Sequence, residues 1–144
     1  RYQRSRKLVL YRQMISATNR ALDTLKVLHR LENELFHMPD EFQQTVRAQL
    51  DCLLSYHEQL LLKFIGKVKL QQQSDIASEA CQERKRLVEA FYQYNQQGNE
   101  HHLFLLIGTI IAYGEQLEHL DKLIDSFQQY HRDEEAFVLT DQET

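Results

Sequence analysis

The sequence predicts an all-α protein: an antiparallel up-down-up-down four-helix bundle with long helices. Three observations lead there. Apolar residues recur at spacings of three and four over long stretches, as one face of a helix requires. The 144 residues include four Gly and one Pro, too few for the frequent tight turns of an all-β fold. And one continuous apolar run, LFLLIGTIIAY at residues 103–113, stands in a chain otherwise rich in Gln, Glu and Arg. At about 11 residues it falls short of the roughly 20 needed to cross a bilayer. It is too apolar to face water all round, so it is expected as the most buried part of a helix, with the other helices packed around it.

The chain length suits one domain with a single core. Hydrophobic residues at 42% and charged residues at 26% are ordinary for a globular protein. We divide the chain into a helical-bundle domain, residues 1–131, and a loose acidic tail, residues 132–144. The formal charge of -4 argues against a dedicated nucleic-acid binder, so no nucleic-acid partner is expected. The charge is polarised, however. Arg1, Arg4, Arg6, Lys7 and Arg12 open the chain with no acid among them, and Asp133, Glu134, Glu135, Asp141 and Glu143 close it. Cys52 and Cys81 have no close partner in sequence and read as free thiols in a reducing cytosol. Neither a signal peptide nor a transmembrane segment is visible, and a cytoplasmic location is expected. The first residue is Arg1, already among charged helix formers, which reads as a fragment or a processed chain.

The first helix is expected over residues 2–37. Leu8, Tyr11, Ile15, Thr18, Leu22 and Leu25 form one stripe. A second stripe, Met14, Ala17, Ala21, Leu28, Leu31 and Leu35, widens the apolar side beyond a two-stranded coiled-coil seam. Such a helix is roughly 50 Å long. Pro39 breaks it and fits the first turn of the next, where Asp40 and Glu41 favour the N-terminal dipole. The short link predicts antiparallel packing of the two helices.

The second helix is expected over residues 39–70. Its stripe is Val46, Leu50, Leu53, His57, Leu60, Phe64 and Val68, broadened by Leu54, Leu61 and Ile65, with Gly66 inside it. Gln71 to Gln73 read as a polar spacer and Ser74 as the N-cap of a third helix over residues 75–95. The segment NQQGN at residues 95–99 is the clearest loop signal. The fourth helix, residues 100–131, contains the apolar run and continues through Leu117, Leu120, Ile124 and Phe127. Gly108 and Gly114 offer close approach to a neighbouring helix. This topology places the basic start and the acidic end at the same pole.

Tests for chemistry come out negative. A di-iron bundle needs two Glu-x-x-His pairs and two further Glu. Glu34 and His37 supply one pair, but Gln116 precedes His119 and Gln128 precedes His131. The serines lack the glycines of a nucleophile elbow, and no Walker A or Rossmann pattern is present. His57 lies on an apolar stripe and reads as a core histidine satisfied by a neighbour. Tyr11, Tyr56, Phe64, Phe91, Tyr92, Tyr94, Phe104 and Tyr113 read as core rather than as a ligand pocket. No catalytic residue, metal ligand or cofactor is therefore assigned. The one candidate site is a membrane-proximal basic cluster, Arg1, Arg4, Arg6, Lys7 and Arg12, placed as Arg and Lys are placed on the cytoplasmic side of a membrane span.

The basic start, the long first helix, the segment Ser55-Tyr-His-Glu-Gln-Leu and the closing Tyr113-Gly-Glu-Gln-Leu-Glu-His-Leu-Asp together resemble the soluble helical domain of bacterial aromatic-acid exporter or fusaric-acid-resistance type membrane proteins. In such proteins a set of membrane helices is followed by a cytosolic helical domain. The resemblance implies a non-catalytic cytosolic module that assembles or regulates the pump. Its partners are then another protein or a second copy, met through helix faces, and the inner-membrane surface. It predicts a surplus apolar face, or self-association through the first or fourth helix. The alternative is a free cytosolic adaptor or regulatory bundle that binds a partner protein. A sensor or enzyme would instead require a closed pocket of roughly 300 Å³ with converging polar groups.

Overall fold

The computed structural model describes the backbone of residues 2–66, 70–95 and 101–143, and the side chains of 4–66, 75–95 and 103–133. It is an all-α bundle of four long helices: α1 Tyr2–Leu31, α2 Asp40–Phe64, α3 Leu70–Asn95 and α4 His101–Glu143. Cross-helix contacts fix their directions. Thr24 on α1 hydrogen-bonds Gln116 on α4 at 2.8 Å, and Lys7 lies over the Phe127 ring, so α1 and α4 are antiparallel. Arg84 meets Glu118 and Phe91 meets Phe104, so α3 and α4 are antiparallel too. His57 pairs with Tyr113 and Lys63 with Asp121, so α2 runs parallel to α4. The helices therefore run up, down, up and down.

α4 is the hub. It packs on α1 and on α2, and α3 packs mainly on α2. Ala17 and Ala21 of α1 are buried and small, so this helix sits close to α4. Leu103, Leu106, Ile107, Ile110, Tyr113, Leu117, Leu120 and Ile124 form the buried stripe of α4. The 103–113 run is thus core on one side. On the other, Phe104 and Leu105 are more than half exposed, so the other helices do not pack all round it as expected. A helix end with neighbours on one side buries one stripe, whatever its composition.

Several boundaries differ from the sequence reading. The α-helix of α1 stops at Leu31, and Glu32–His37 wind as a 3₁₀ helix. Three residues per turn put Leu35 and Met38 on one face; both are buried, and the Met38 N–H donates to the Leu35 carbonyl at 3.2 Å. α2 ends at Phe64 rather than near 70, because Gly66 (φ 76°) takes the left-handed conformation that stops a helix. The Gly66 N–H donates to the Lys63 carbonyl at 3.0 Å, and the Ile65 N–H to the Leu61 carbonyl at 3.3 Å. Gln71, Gln72, Gln73 and Ser74, read as spacer and cap, belong to α3, since glutamine is a good helix former. The centre of the NQQGN loop, 96–99, lies outside the described residues. Residues 132–143, read as a loose tail, continue α4 to Glu143. Neither Gly nor Pro follows Gly114, and Gln129–Asp133 and Arg132–Gln129 hydrogen bonds of 3.0 Å support the helix one turn at a time.

Candidate functional site

The basic cluster stands at the start of α1, at the pole shared with the end of α4. Arg4, Arg6 and Arg12 are exposed and Lys7 is half-buried, its ammonium 6.0 Å from the Phe127 ring centre. Arg1 lies outside the described residues. The structure gathers these side chains along the first turns of one helix, and α4 runs past them.

Between α2 and α4 lies a line of polar groups that the apolar stripes did not reveal. Gln49, Tyr56 and Lys63 recur every seven residues and face the core, as do Gly114, Asp121 and Gln128 across from them. The Tyr56 hydroxyl donates to Asp121 Oδ2 at 2.6 Å. The Lys63 ammonium donates to Asp121 Oδ1 at 2.8 Å and pairs with Asp125. Gln128 Nε2 donates to the Lys63 carbonyl at 2.8 Å, close to the end of α2. Burial alone would pull the Lys63 ammonium down, but its two carboxylates outweigh that and hold it above its ordinary value. Burial, then the hydrogen bond to Asp121, pushes the Tyr56 hydroxyl well up.

Beside Tyr56 on α2, His57 Nδ1 is 2.7 Å from the Tyr113 hydroxyl. Burial lowers the imidazole and raises the phenol, so both groups are held toward their neutral forms, and the tautomer of the ring sets which of the two donates. His57 is the satisfied core histidine that its stripe position predicts. Gln49 is fully buried, and its amide makes no hydrogen bond among the described residues.

The seam between α1 and α2 is the second feature. These helices are joined by a short link, yet they scarcely touch, and α4 forms the floor between them. A groove of about 210 Å³ runs between Tyr11, Ile15 and Thr18 on one wall and Leu61 and Phe64 on the other. A second, of about 240 Å³, continues it between Leu25 and Leu28 and the pair Leu50 and Leu54. Leu8, Tyr11, Ile15 and Leu22, the first stripe read from α1, are 45 to 49% exposed. Leu54, Leu61 and Phe64 on α2 are 40 to 50% exposed. In both helices an apolar stripe faces this seam, and a second stripe faces the core.

The chemistry available is limited. Among the described residues no three His, Cys, Asp or Glu side chains converge as a metal site needs. A cleft of about 380 Å³ lies between α2 and α3 and is lined by Asp51, Cys52, Glu79 and Glu83 among others. Its thiol is pushed up by burial and then by Glu79 and Glu83, the reverse of an activated nucleophile. No helix among the described residues is long and apolar enough to cross a membrane.

This chain is similar to the UPF0421 protein YgaE of Bacillus subtilis (strain 168). The two are 47% identical over 134 residues. The match takes in 90% of this chain and 37% of the relative, so the chain spans little more than a third of that relative's length. No family model matches the chain, and no solved structure matches it.

Proposed function

We infer that this chain is a non-catalytic cytosolic helical domain of a bacterial membrane exporter and acts in its assembly or regulation. The observation that carries the reading is the surplus apolar face at the α1/α2 seam, which an isolated bundle would bury or replace by polar residues. Two facts support it. The relative holds nearly twice as much chain outside the matched part as within it. And the basic residues at the start of α1 crowd one pole, where an anionic inner-membrane surface would attract them.

Fractionation of cells expressing the complete source gene tests the reading. An exporter domain sediments with the membrane and is released by detergent but not by high salt. A product recovered in the soluble fraction refutes it and leaves the free adaptor bundle, whose partner would then occupy the same seam.

A further inference from the structure

The geometry points to a second copy of this chain as the occupant of the α1/α2 seam. The two copies face each other across a two-fold axis parallel to the helices. The proposal deepens the exporter reading and takes from it the requirement that both copies present the same pole to one membrane.

The surface has the right size. Eight large apolar residues remain 40 to 63% exposed along the stripes and grooves of this seam, from Leu8 to Phe36 on the first wall and Leu54 to Phe64 on the second. At ordinary side-chain areas these exposures leave roughly 800 Å² per copy, which is what a standard interface buries on each partner. The pattern is right as well. Leu8, Tyr11, Ile15, Thr18, Leu22 and Leu25 alternate spacings of three and four, the repeat that seats one helix against others.

Charge selects the symmetry. Within α1, seven Arg and Lys stand against a single acid, Asp23. α2 carries four acids, Asp40, Glu41, Asp51 and Glu58, against two bases. An axis across the helices would stack α1 on α1, two strongly basic helices. An axis along them stacks each α1 on the partner's α2, basic on acidic. Rotation about that axis preserves direction, so α1 opposes α2 antiparallel, as neighbours do within the bundle. The four seam helices then form a second bundle of alternating direction, and both basic starts sit at the same pole.

The test is the mass in solution of the 144-residue chain, by light scattering and sedimentation velocity up to high micromolar concentration. A dimer is expected. Ile15→Glu and Leu61→Glu, at half-exposed positions, should each raise its dissociation constant about tenfold or more, with the helical circular dichroism unchanged. Leu105→Glu, equally exposed on α4 and away from the seam, should leave it unmoved. A monomer over the whole range overturns the proposal, as does a dimer indifferent to both seam substitutions. A monomer that cosediments with vesicles of anionic phospholipid also overturns it and gives the seam to lipid. Fractionation of the complete gene product reads the membrane assignment independently, so the two can fail separately.

Discussion

The Lys63 cluster makes a prediction about unequal partners. Lys63 is 4% exposed, its partner Asp121 has a side chain 19% exposed, and Asp125 is 54% exposed. Removing one member of a buried pair costs about 3–5 kcal/mol, chiefly for the charge left behind. Asp121→Leu strands the buried ammonium, with the solvent-screened Asp125 still beside it, so the cost falls to about 2–3 kcal/mol. Lys63→Met removes the buried charge and keeps the stem's packing. Asp121 retains the Tyr56 hydroxyl and partial access to water, so this change costs about 1 kcal/mol or less. The double variant has no stranded cation and should lie within about 1 kcal/mol of the wild type. Urea denaturation followed by circular dichroism, extrapolated linearly, resolves these differences. Equal losses from the two single changes, or a double variant as weak as Asp121→Leu, would show that burial of the cation is not what sets the cost.

Three further outcomes are expected. Gln49→Met replaces an unpartnered buried amide by an apolar side chain of similar shape and should stabilise the fold by about 1–2 kcal/mol, read as a higher melting temperature. His57 is held below its ordinary 6.5, so the unfolded chain takes up its proton first; stability is complete above about pH 6.5 and declines as the pH falls below it. His57→Gln should remove that part of the acid slope in denaturation curves taken at successive pH values. Gly66→Ala, at positive φ, should cost about 1 kcal/mol, whereas Gly108→Ala, inside α4 with nothing within 4 Å of the new methyl, should gain up to about 1 kcal/mol; opposite signs in thermal melts check both.

The four helices were legible because long stretches keep a 3.6-residue period and Pro39 marks a break. The rotation of α1 and α2 was not. Both helices carry apolar residues over more than half their circumference, so periodicity shows a helix without showing which side faces the core. In α1 the stripe of Leu8, Ile15 and Leu22 is as regular as that of Met14, Ala21 and Leu28, and it is the latter that is buried. In α2 the buried line includes Tyr56, which read as core, and also Gln49 and Lys63, which no apolar pattern singles out. Their spacing of seven was the signal, and it matters only once Asp121 and Gln128 stand opposite. Gly66 was read as an interior glycine because the residues around it are helix formers, whereas its positive φ ends the helix. The basic cluster at the start of α1 was visible from charge alone, whereas the open seam needed three helices to be placed.

The polar line and the apolar seam are two results of one choice. Lys63 and Tyr56 reach Asp121 only when α2 turns that side to α4. Turned so, α2 carries Leu54 and Leu61 into the seam. Leu61 and Lys63 stand roughly 160° apart around the helix, so only a large turn of α2 about its axis would bury those leucines and expose the polar groups, a trade that hydrophobic burial alone would favour. We therefore expect the polar line to fix the rotation, specifying one arrangement more than it adds stability. The variant Tyr56→Phe, Lys63→Met, Asp121→Leu tests this, since it leaves both sides of α2 apolar. It should stay folded with near wild-type stability, while its amide proton–nitrogen spectrum shows doubled or broadened peaks for α2 and its α4 partners. A single sharp set at wild-type positions would mean that the shapes of Leu53, Leu60 and Val46 against α4 already fix the rotation, and that the polar line is a passenger.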